Sequence, residues 1–170
     1  MSVRVPYNQS EESGSIRLGL GSGIFAPFPS EITWNGLQLV KKEEFHVTLL
    51  HARETPRLTH VSNEELASFF DSFVERNPIG LLSFLDDCRY VEEYGKKTIL
   101  VRCTASNLEE LFAACNDAFR VQLPTQPAHV TLYSLERSVG IHINSGEKME
   151  GLEHVHLPEL EAALREVRLL

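Results

Sequence analysis

The sequence is poor in cysteine and in positive charge. Its three cysteines, Cys88, Cys103 and Cys115, form no C-x-x-C pair. Their number and spacing exclude a disulfide framework and predict buried, reduced thiols in an intracellular protein. Sixteen Lys and Arg residues stand against 24 Asp and Glu residues, which gives a net charge of −8. This balance argues against binding to a DNA duplex or along an RNA backbone, but a local pair of basic side chains can still hold a small phosphate ligand.

Long apolar runs are also missing. No stretch approaches the ~18 apolar residues of a transmembrane helix, and the N-terminus lacks the apolar core of a signal peptide. Hydrophobic residues make up 42% and charged residues 24%, as in a globular protein. We therefore expect a cytoplasmic protein without a membrane partner, and we favour a monomer. We expect a flexible N-terminal segment at 1–14 and a single domain at 15–170.

Motifs for cofactors and metals are incomplete. The glycine-rich stretch at 19–23 lacks the Lys and Ser/Thr of a P-loop, so a flexible connection is favoured over phosphate binding. His142, His154 and His156 suggest zinc, because a His-x-His pair such as His154 and His156 can bind it on a strand. No third ligand lies at a familiar spacing from this pair. We expect neither a metal nor a cofactor.

Apolar periodicity predicts an α+β fold with antiparallel strand pairing. Asn35-Gly36 predicts a tight hairpin turn, and two capping boxes predict helix starts near 62–65 and 106–109. A third helix is expected after Pro158. Alternating patterns predict strands at 15–20, 32–34, 37–40, 45–50, 81–90, 98–103, 128–133 and 139–143.

One tetrapeptide, His-Val-Thr-Leu, occurs twice, at 46–49 and at 129–132. The copies begin 129 − 46 = 83 residues apart, and each lies in a predicted strand. Because strand side chains alternate between faces, His46 and Thr48 share one face, as do His129 and Thr131, while Val and Leu face the other way. A single His on a strand is ordinary, but two identical copies in matching strands indicate a shared role.

Two histidines suit phosphodiester cleavage. The reaction needs a base that activates water or a hydroxyl group and an acid that protonates the leaving oxygen, and histidine titrates near neutral pH. The hydroxyl groups of Thr48 and Thr131 can donate hydrogen bonds to the non-bridging phosphate oxygens. No metal is required, and His46 and His129 are the predicted catalytic pair.

These two motifs resemble those of the 2H phosphoesterases, a group that includes the 2′-5′ RNA ligase-like proteins and the 2′,3′-cyclic nucleotide phosphodiesterases. The resemblance covers about 15–145 and is specific at the motifs. It implies a bilobal fold in which two antiparallel sheets line a central cleft, with helices packed outside. It also implies that His46 and His129 are the acid/base pair and that Thr48 and Thr131 hold the phosphate. The acidic chain favours a small nucleotide or an RNA end as substrate.

Four further residues are candidate substrate contacts. Tyr133 shares the predicted face of His129 and either stacks on a base, binds phosphate or is a rim aromatic. Trp34 either stacks on a nucleobase or packs in the core, which is the favoured interpretation. Arg102 and Arg137 are the basic residues placed nearest the cleft, with solvated surface charge as the alternative. His51, five residues after His46, is expected on the opposite face and is interpreted as structural.

The sequence leaves three functions open. The first is hydrolysis of a 2′,3′-cyclic phosphate or of a 2′-5′ or cyclic oligonucleotide linkage. The second is a nucleotide-binding sensor or regulator with little turnover. The third is RNA 2′-5′ ligation, which the net charge of −8 disfavours. Retention of both histidines favours the enzyme, because a binding protein has no need of an acid/base pair.

Overall fold

A computed structural model describes residues 7–9, 14–52, 58–136 and 140–167 of the chain. Within these residues the fold is α+β, with a nine-stranded sheet and four α-helices. The strand order is β1-β2-β5-β8-β7-β6-β9, and a β3–β4 hairpin joins the sheet through β4 and β8. The strands are β1 Tyr7–Gln9, β2 Ile16–Leu20, β3 Glu31–Trp34, β4 Leu37–Lys41, β5 Phe45–Leu50, β6 Leu81–Glu93, β7 Lys96–Ala105, β8 His129–Ser134 and β9 Glu153–Val155.

The helices are α1 Asn63–Arg76, α2 Leu108–Phe119, α3 Gly146–Glu150 and α4 Pro158–Glu166, with a 3-10 turn at Ser22–Phe25. Buried residues of α1, α2 and α4 belong to the main hydrophobic core, so these helices cover one face of the sheet. Met149 of α3 belongs to a separate small core with Val91, Leu100, Ile141 and Ile143. The 141–150 segment therefore packs on the other face of the sheet.

A row of directly paired residues runs across the sheet on the face of the main core. Val47 is paired with Leu18 on one side and with Val130 on the other. Val130 is paired in turn with Val101, and Val101 with Cys88. All five residues belong to the main core. Because opposite residues in neighbouring strands point to the same side of a sheet, residues one position along each strand point away from this core.

The two motif strands belong to one hydrogen-bonded sheet, which differs from the expected pair of sheets. The physical reason is the antiparallel pair Val47–Val130, which joins β2–β5 to β8–β7. The two halves also repeat each other in register. Arg17 is paired with Thr48 and Leu100 with Thr131, and both separations equal 83, since 100 − 17 = 83 and 131 − 48 = 83.

Most predicted elements are confirmed. Asn35 and Gly36 both have positive φ in the β3–β4 turn, and Ser62 and Glu65 form the capping box of α1. The three cysteines are buried and free, and burial raises the pKa of Cys88 and Cys103 to about 12. No helix of the described residues is long and apolar enough to span a membrane.

Two local predictions are wrong. The second capping box does not form: Asn107 precedes α2 in a left-handed conformation, and the Ser106 hydroxyl bonds the Pro78 carbonyl instead of a helix amide. The described part of the predicted strand at 139–143 has no regular secondary structure. Within the N-terminal segment 1–14, Tyr7–Gln9 forms β1, which pairs with β2, and the Tyr7 hydroxyl donates to the Ile79 carbonyl at 2.6 Å.

Candidate active site

The two His-Val-Thr-Leu motifs lie side by side on the face of the sheet that points away from the main core. Val47 is opposite Val130 in antiparallel pairing. That register puts His46 opposite Thr131 and Thr48 opposite His129. Each histidine therefore has the threonine of the other motif as its cross-strand neighbour, and the sheet brings all four predicted residues together.

The two histidines are diagonal neighbours on this face. Diagonal cross-strand neighbours have their Cα atoms about 7–8 Å apart. A separation of this size leaves room for one phosphate group between two imidazoles. The arrangement therefore allows one ring to act on each side of a phosphorus atom.

The ring of His129 is held in a defined orientation. The side chain is 6% exposed, and Nδ1 lies 2.9 Å from the Pro127 carbonyl oxygen. A carbonyl can only accept, so Nδ1 carries the hydrogen and Nε2 is the nitrogen that can exchange a proton with a ligand. Burial lowers the pKa of His129, and the Pro127 hydrogen bond opposes that shift. The imidazole is neutral at pH 7.

The ring of His46 lies in a more cationic environment. Its pKa is lowered to about 4, first by burial and then by the positive charges of Arg17 and Lys42. His46 is partly exposed, and Gly19, its paired residue on β2, has no side chain to cover it. Both motif histidines are therefore neutral at pH 7 when no ligand is bound, and a bound anion would favour protonation of either one.

A β-bulge follows each motif threonine and changes which face the next residues occupy. In β5, Thr48 is paired with Arg17 but Leu50 with Ile16, so Leu49 is the extra residue. The same irregularity makes Leu132 the extra residue of β8, because Tyr133 is paired with Ile99. One extra residue reverses the alternation of side chains beyond it. The bulges occur at equivalent positions of the two halves.

The bulge overturns the predicted placement of Tyr133. This residue lies in the main core at 0% exposure, and its hydroxyl donates to the Pro29 carbonyl at 2.9 Å. Tyr133 therefore does not share the face of His129 and is not available to stack on a base.

The bulge also overturns the predicted placement of His51. Its ring stacks on that of His142, with centroids 4.5 Å apart, and its Nδ1 lies 3.4 Å from the Ser15 hydroxyl. The pKa of His51 is lowered to about 3, first by burial and then by electrostatic interaction with the neighbouring His142 and His129 rings. Four histidines therefore surround the site: the motif pair His46 and His129, and the stacked pair His51 and His142.

Arg102 of β7, which was expected near the cleft, is paired with His129. Its guanidinium is already paired, however, with Asp87 at 3.0 Å and Glu150 at 2.8 Å. Arg89, which is 3% exposed, also pairs with Asp87 and donates to the carbonyls of Met149 and Leu152. These contacts attach α3 to the sheet beside the motif histidines.

Trp34 is not brought to the motifs by any described contact. Trp34 lies at the tip of the β3–β4 hairpin and packs partly buried against the main core, in line with the favoured interpretation. Arg137 lies outside the described residues.

A groove of about 440 Å³ is lined in part by Pro127 and Ala128, the two residues before His129, but by none of the four motif residues. Arg102, Thr104, Asn107, Thr125 and Ala128 are among its lining residues. Among the described residues, no group of three or more His, Cys, Asp or Glu side chains is arranged to hold a metal ion.

Comparison with known proteins does not identify this chain. No family model matches it, and no match was found among the curated proteins or the solved structures.

Three residues of the site were missed by sequence reasoning. Arg17 sits between the apolar residues Ile16 and Leu18, so the period-2 pattern of β2 contained the signal that it faces the motif threonine. His51 was assigned to the wrong face because a bulge does not interrupt an apolar run. His142 carried no local signal, because the 141–143 segment reaches the site by packing on Leu100 and Val91.

Proposed function

We propose that this protein is a metal-independent phosphodiesterase that uses His46 and His129 as its acid/base pair. The observation that carries the proposal is the reciprocal register of the motifs, which gives each histidine the other motif's threonine as its neighbour. A site built this way offers two proton-transfer groups and two hydroxyl donors to one phosphate. The matched β2–β5 and β7–β8 pairs are interpreted as the two lobes of a 2H phosphoesterase-like fold.

The proposed reaction is hydrolysis in line at phosphorus. One neutral imidazole takes a proton from water while the water oxygen bonds to phosphorus. The bond from phosphorus to the leaving oxygen breaks with its electron pair, and the other imidazole, protonated beforehand, gives that oxygen its proton. Thr48 and Thr131 donate hydrogen bonds to the non-bridging oxygens, where negative charge is held in the transition state.

The charge and shape of the site support a small substrate. The chain carries a net charge of −8, so a long RNA has no basic surface to follow. The groove of about 440 Å³ beside Arg102 has the volume of a small-ligand pocket. Hydroxyl and amide groups line it together with apolar side chains and the carboxylates of Glu109 and Glu110. We propose a 2′,3′-cyclic nucleotide, a 2′-5′ or cyclic oligonucleotide, or a short RNA end as the substrate class.

The neutral state of both histidines supports a second candidate, a nucleotide-binding sensor. An unliganded site in which burial lowers the pKa of both imidazoles holds no acid in advance. The hydrolase needs the phosphate to raise one pKa on binding, whereas the sensor does not.

One experiment separates these functions. Wild type and the His46→Ala/His129→Ala double variant are assayed in EDTA on 2′,3′-cyclic nucleotides, 2′-5′ and 3′-5′ dinucleotides and cyclic dinucleotides. The hydrolase predicts turnover of at least one class by wild type and none by the double variant. Binding of a ligand by wild type without any product favours the sensor and contradicts the hydrolase.

A further inference from the structure

Arg17 differs from Arg89 and Arg102 in having no hydrogen-bond or ion-pair partner among the residues that the structure describes. Its side chain is partly buried on β2, and Nε is shielded from solvent without a hydrogen-bond acceptor among the described residues. No ion pair joins its guanidinium to any carboxylate in the described part of the chain. A shielded guanidinium donor without an acceptor destabilises the folded state, because the group loses its hydrogen bond to water and gains none in return.

The position of Arg17 relates this unused donor to the proposed site. Arg17 is the directly paired neighbour of Thr48, so both side chains lie on the motif face. Its positive charge also lowers the pKa of both His46 and His51, which indicates that the guanidinium lies close to both rings. Along the row Arg17–Thr48–His129–Arg102, one arginine stands at each end.

The two arginines of this row are not equivalent. Arg102 is balanced by Asp87 and Glu150, whereas no carboxylate of the described residues pairs with Arg17. The residue that matches Arg17 in the second half, at the same position relative to the motif threonine, is Leu100. At this position the internal repeat therefore has an arginine beside Thr48 and a leucine beside Thr131.

We propose that the guanidinium of Arg17 binds the non-bridging oxygens of the scissile phosphate group, and that Arg17 is the cation that selects singly charged phosphodiesters. A guanidinium donates two parallel hydrogen bonds to a phosphate in a geometry that an ammonium group does not match. One unbalanced arginine suits the single charge of a diester. An end-phosphorylated nucleotide carries further charge and has Arg102 available only after Glu150 is displaced. The proposal rests on the proposed phosphodiesterase function for the identity of its substrate, but not for the binding of phosphate.

The test uses Arg17→Gln and Arg17→Lys in the full chain, with Arg165→Gln on the exposed side of α4 as the matched control. Inorganic phosphate is the first probe. Its binding is observed by NMR of the arginine Nε–H groups and of the histidine rings. We expect phosphate to shift one arginine Nε–H resonance that is absent from Arg17→Gln. We also expect the pKa of His46 to rise in Arg17→Gln, because the repelling charge is gone. The rise in the pKa of His46 shows only that the guanidinium lies near the ring, whereas the phosphate-induced shift is the effect that a structural role alone would not produce.

The kinetic arm uses a substrate found with the panel above. Arg17→Gln is expected to lower kcat/KM by about 10²–10³, as removal of one donor to a developing oxyanion does, and Arg17→Lys is expected to restore part of it. Arg165→Gln should match wild type. If Arg17→Gln binds phosphate as wild type does, or keeps wild-type kcat/KM, the assignment of Arg17 is overturned while the hydrolase stands. Arg17-dependent phosphate binding by a protein that hydrolyses nothing supports Arg17 and contradicts the hydrolase.

Discussion

Val47 of β5 lies opposite Val130 of β8, and both side chains are fully buried. This pair sets the register of the two motif strands. Because strand side chains alternate between faces, a slip of one residue would turn the motif histidines and threonines toward the core and expose the valines. The loss of buried apolar surface disfavours such a slip. The geometry of the proposed site thus depends on the apolar positions of the same tetrapeptide that supplies its chemistry.

The register predicts that the hydroxyl groups of both motif threonines contribute to activity. Thr48→Val and Thr131→Val keep the shape of the side chain but remove a donor to the phosphate. Each should lower kcat/KM by about 10–10³, at or below the loss seen when one oxyanion donor is removed. Thr→Ser at the same positions should retain most of the activity, because the hydroxyl remains. Equal activities of the Val and Ser variants would remove the threonines from the proposed mechanism.

Buried neutral histidines predict a loss of stability in acid. The folded pKa of His46 is about 4 and that of His51 about 3, both below the value of ~6.5 in an unfolded chain. Between these pKa values the unfolded chain binds more protons than the folded chain. The contribution of the two histidines to the free energy of unfolding is therefore fully present above pH ~6.5 and is lost as the pH drops toward 3–4. His51 alone accounts for a loss of about 2 kcal/mol between pH 7 and pH 5.

Urea denaturation of wild type and His51→Asn at both pH values measures this loss. The asparagine can keep the hydrogen bond to Ser15 but does not titrate, so the variant should lose less stability on acidification than wild type. His60→Asn, an exposed position just before α1, is the control and should follow wild type. The same slope in His51→Asn as in wild type would show that His51 is not the buried neutral group described.

The contacts of Arg89 are expected to hold α3 on the sheet. Its buried guanidinium connects Asp87 on β6 to the carbonyls of Met149 and Leu152. Removing one partner of a buried ion pair leaves the other uncompensated, which costs about 3–5 kcal/mol. Since Asp87 keeps Arg102, Arg89→Ala should lower the free energy of unfolding by about 3 kcal/mol.

The matched control for this variant is Arg165→Ala, which removes an exposed i,i+4 pair with Glu161 and should cost no more than about 0.5 kcal/mol. Urea denaturation compares the two. An Arg89→Ala variant as stable as Arg165→Ala would show that the Arg89 network does not hold the 141–150 segment on the sheet.

The extent to which the sequence predicts this structure differs between the sheet and the site. Alternation placed β5 and β8 correctly, and Asn35-Gly36 and Ser62 predicted a turn and a helix start that both form. These signals are local. The second capping box failed because the Ser106 hydroxyl is used by the backbone of Pro78 and Gly80, which lie far along the chain. Such long-range competition leaves no pattern in the sequence.

The candidate site was predicted in its centre and missed at its edges. The four motif residues follow from the repeat and from strand alternation. The bulges at Leu49 and Leu132 reverse that alternation, and both positions lie within apolar runs, so the faces of His51 and Tyr133 could not be read from spacing. The difference between Arg102 and Arg17 depends on which arginine has carboxylates nearby, and only the folded chain brings those groups together.

The central claim is that two histidines carry out one reaction, and the most direct measurement is kcat/KM for His46→Ala and His129→Ala. Both are assayed in EDTA beside wild type and His60→Ala, on the best substrate of the panel. The account predicts a loss of about 10²–10⁴ in each motif variant, as expected for removal of a general acid or base, and no loss in His60→Ala. A folded His46→Ala or His129→Ala variant with wild-type activity would contradict it.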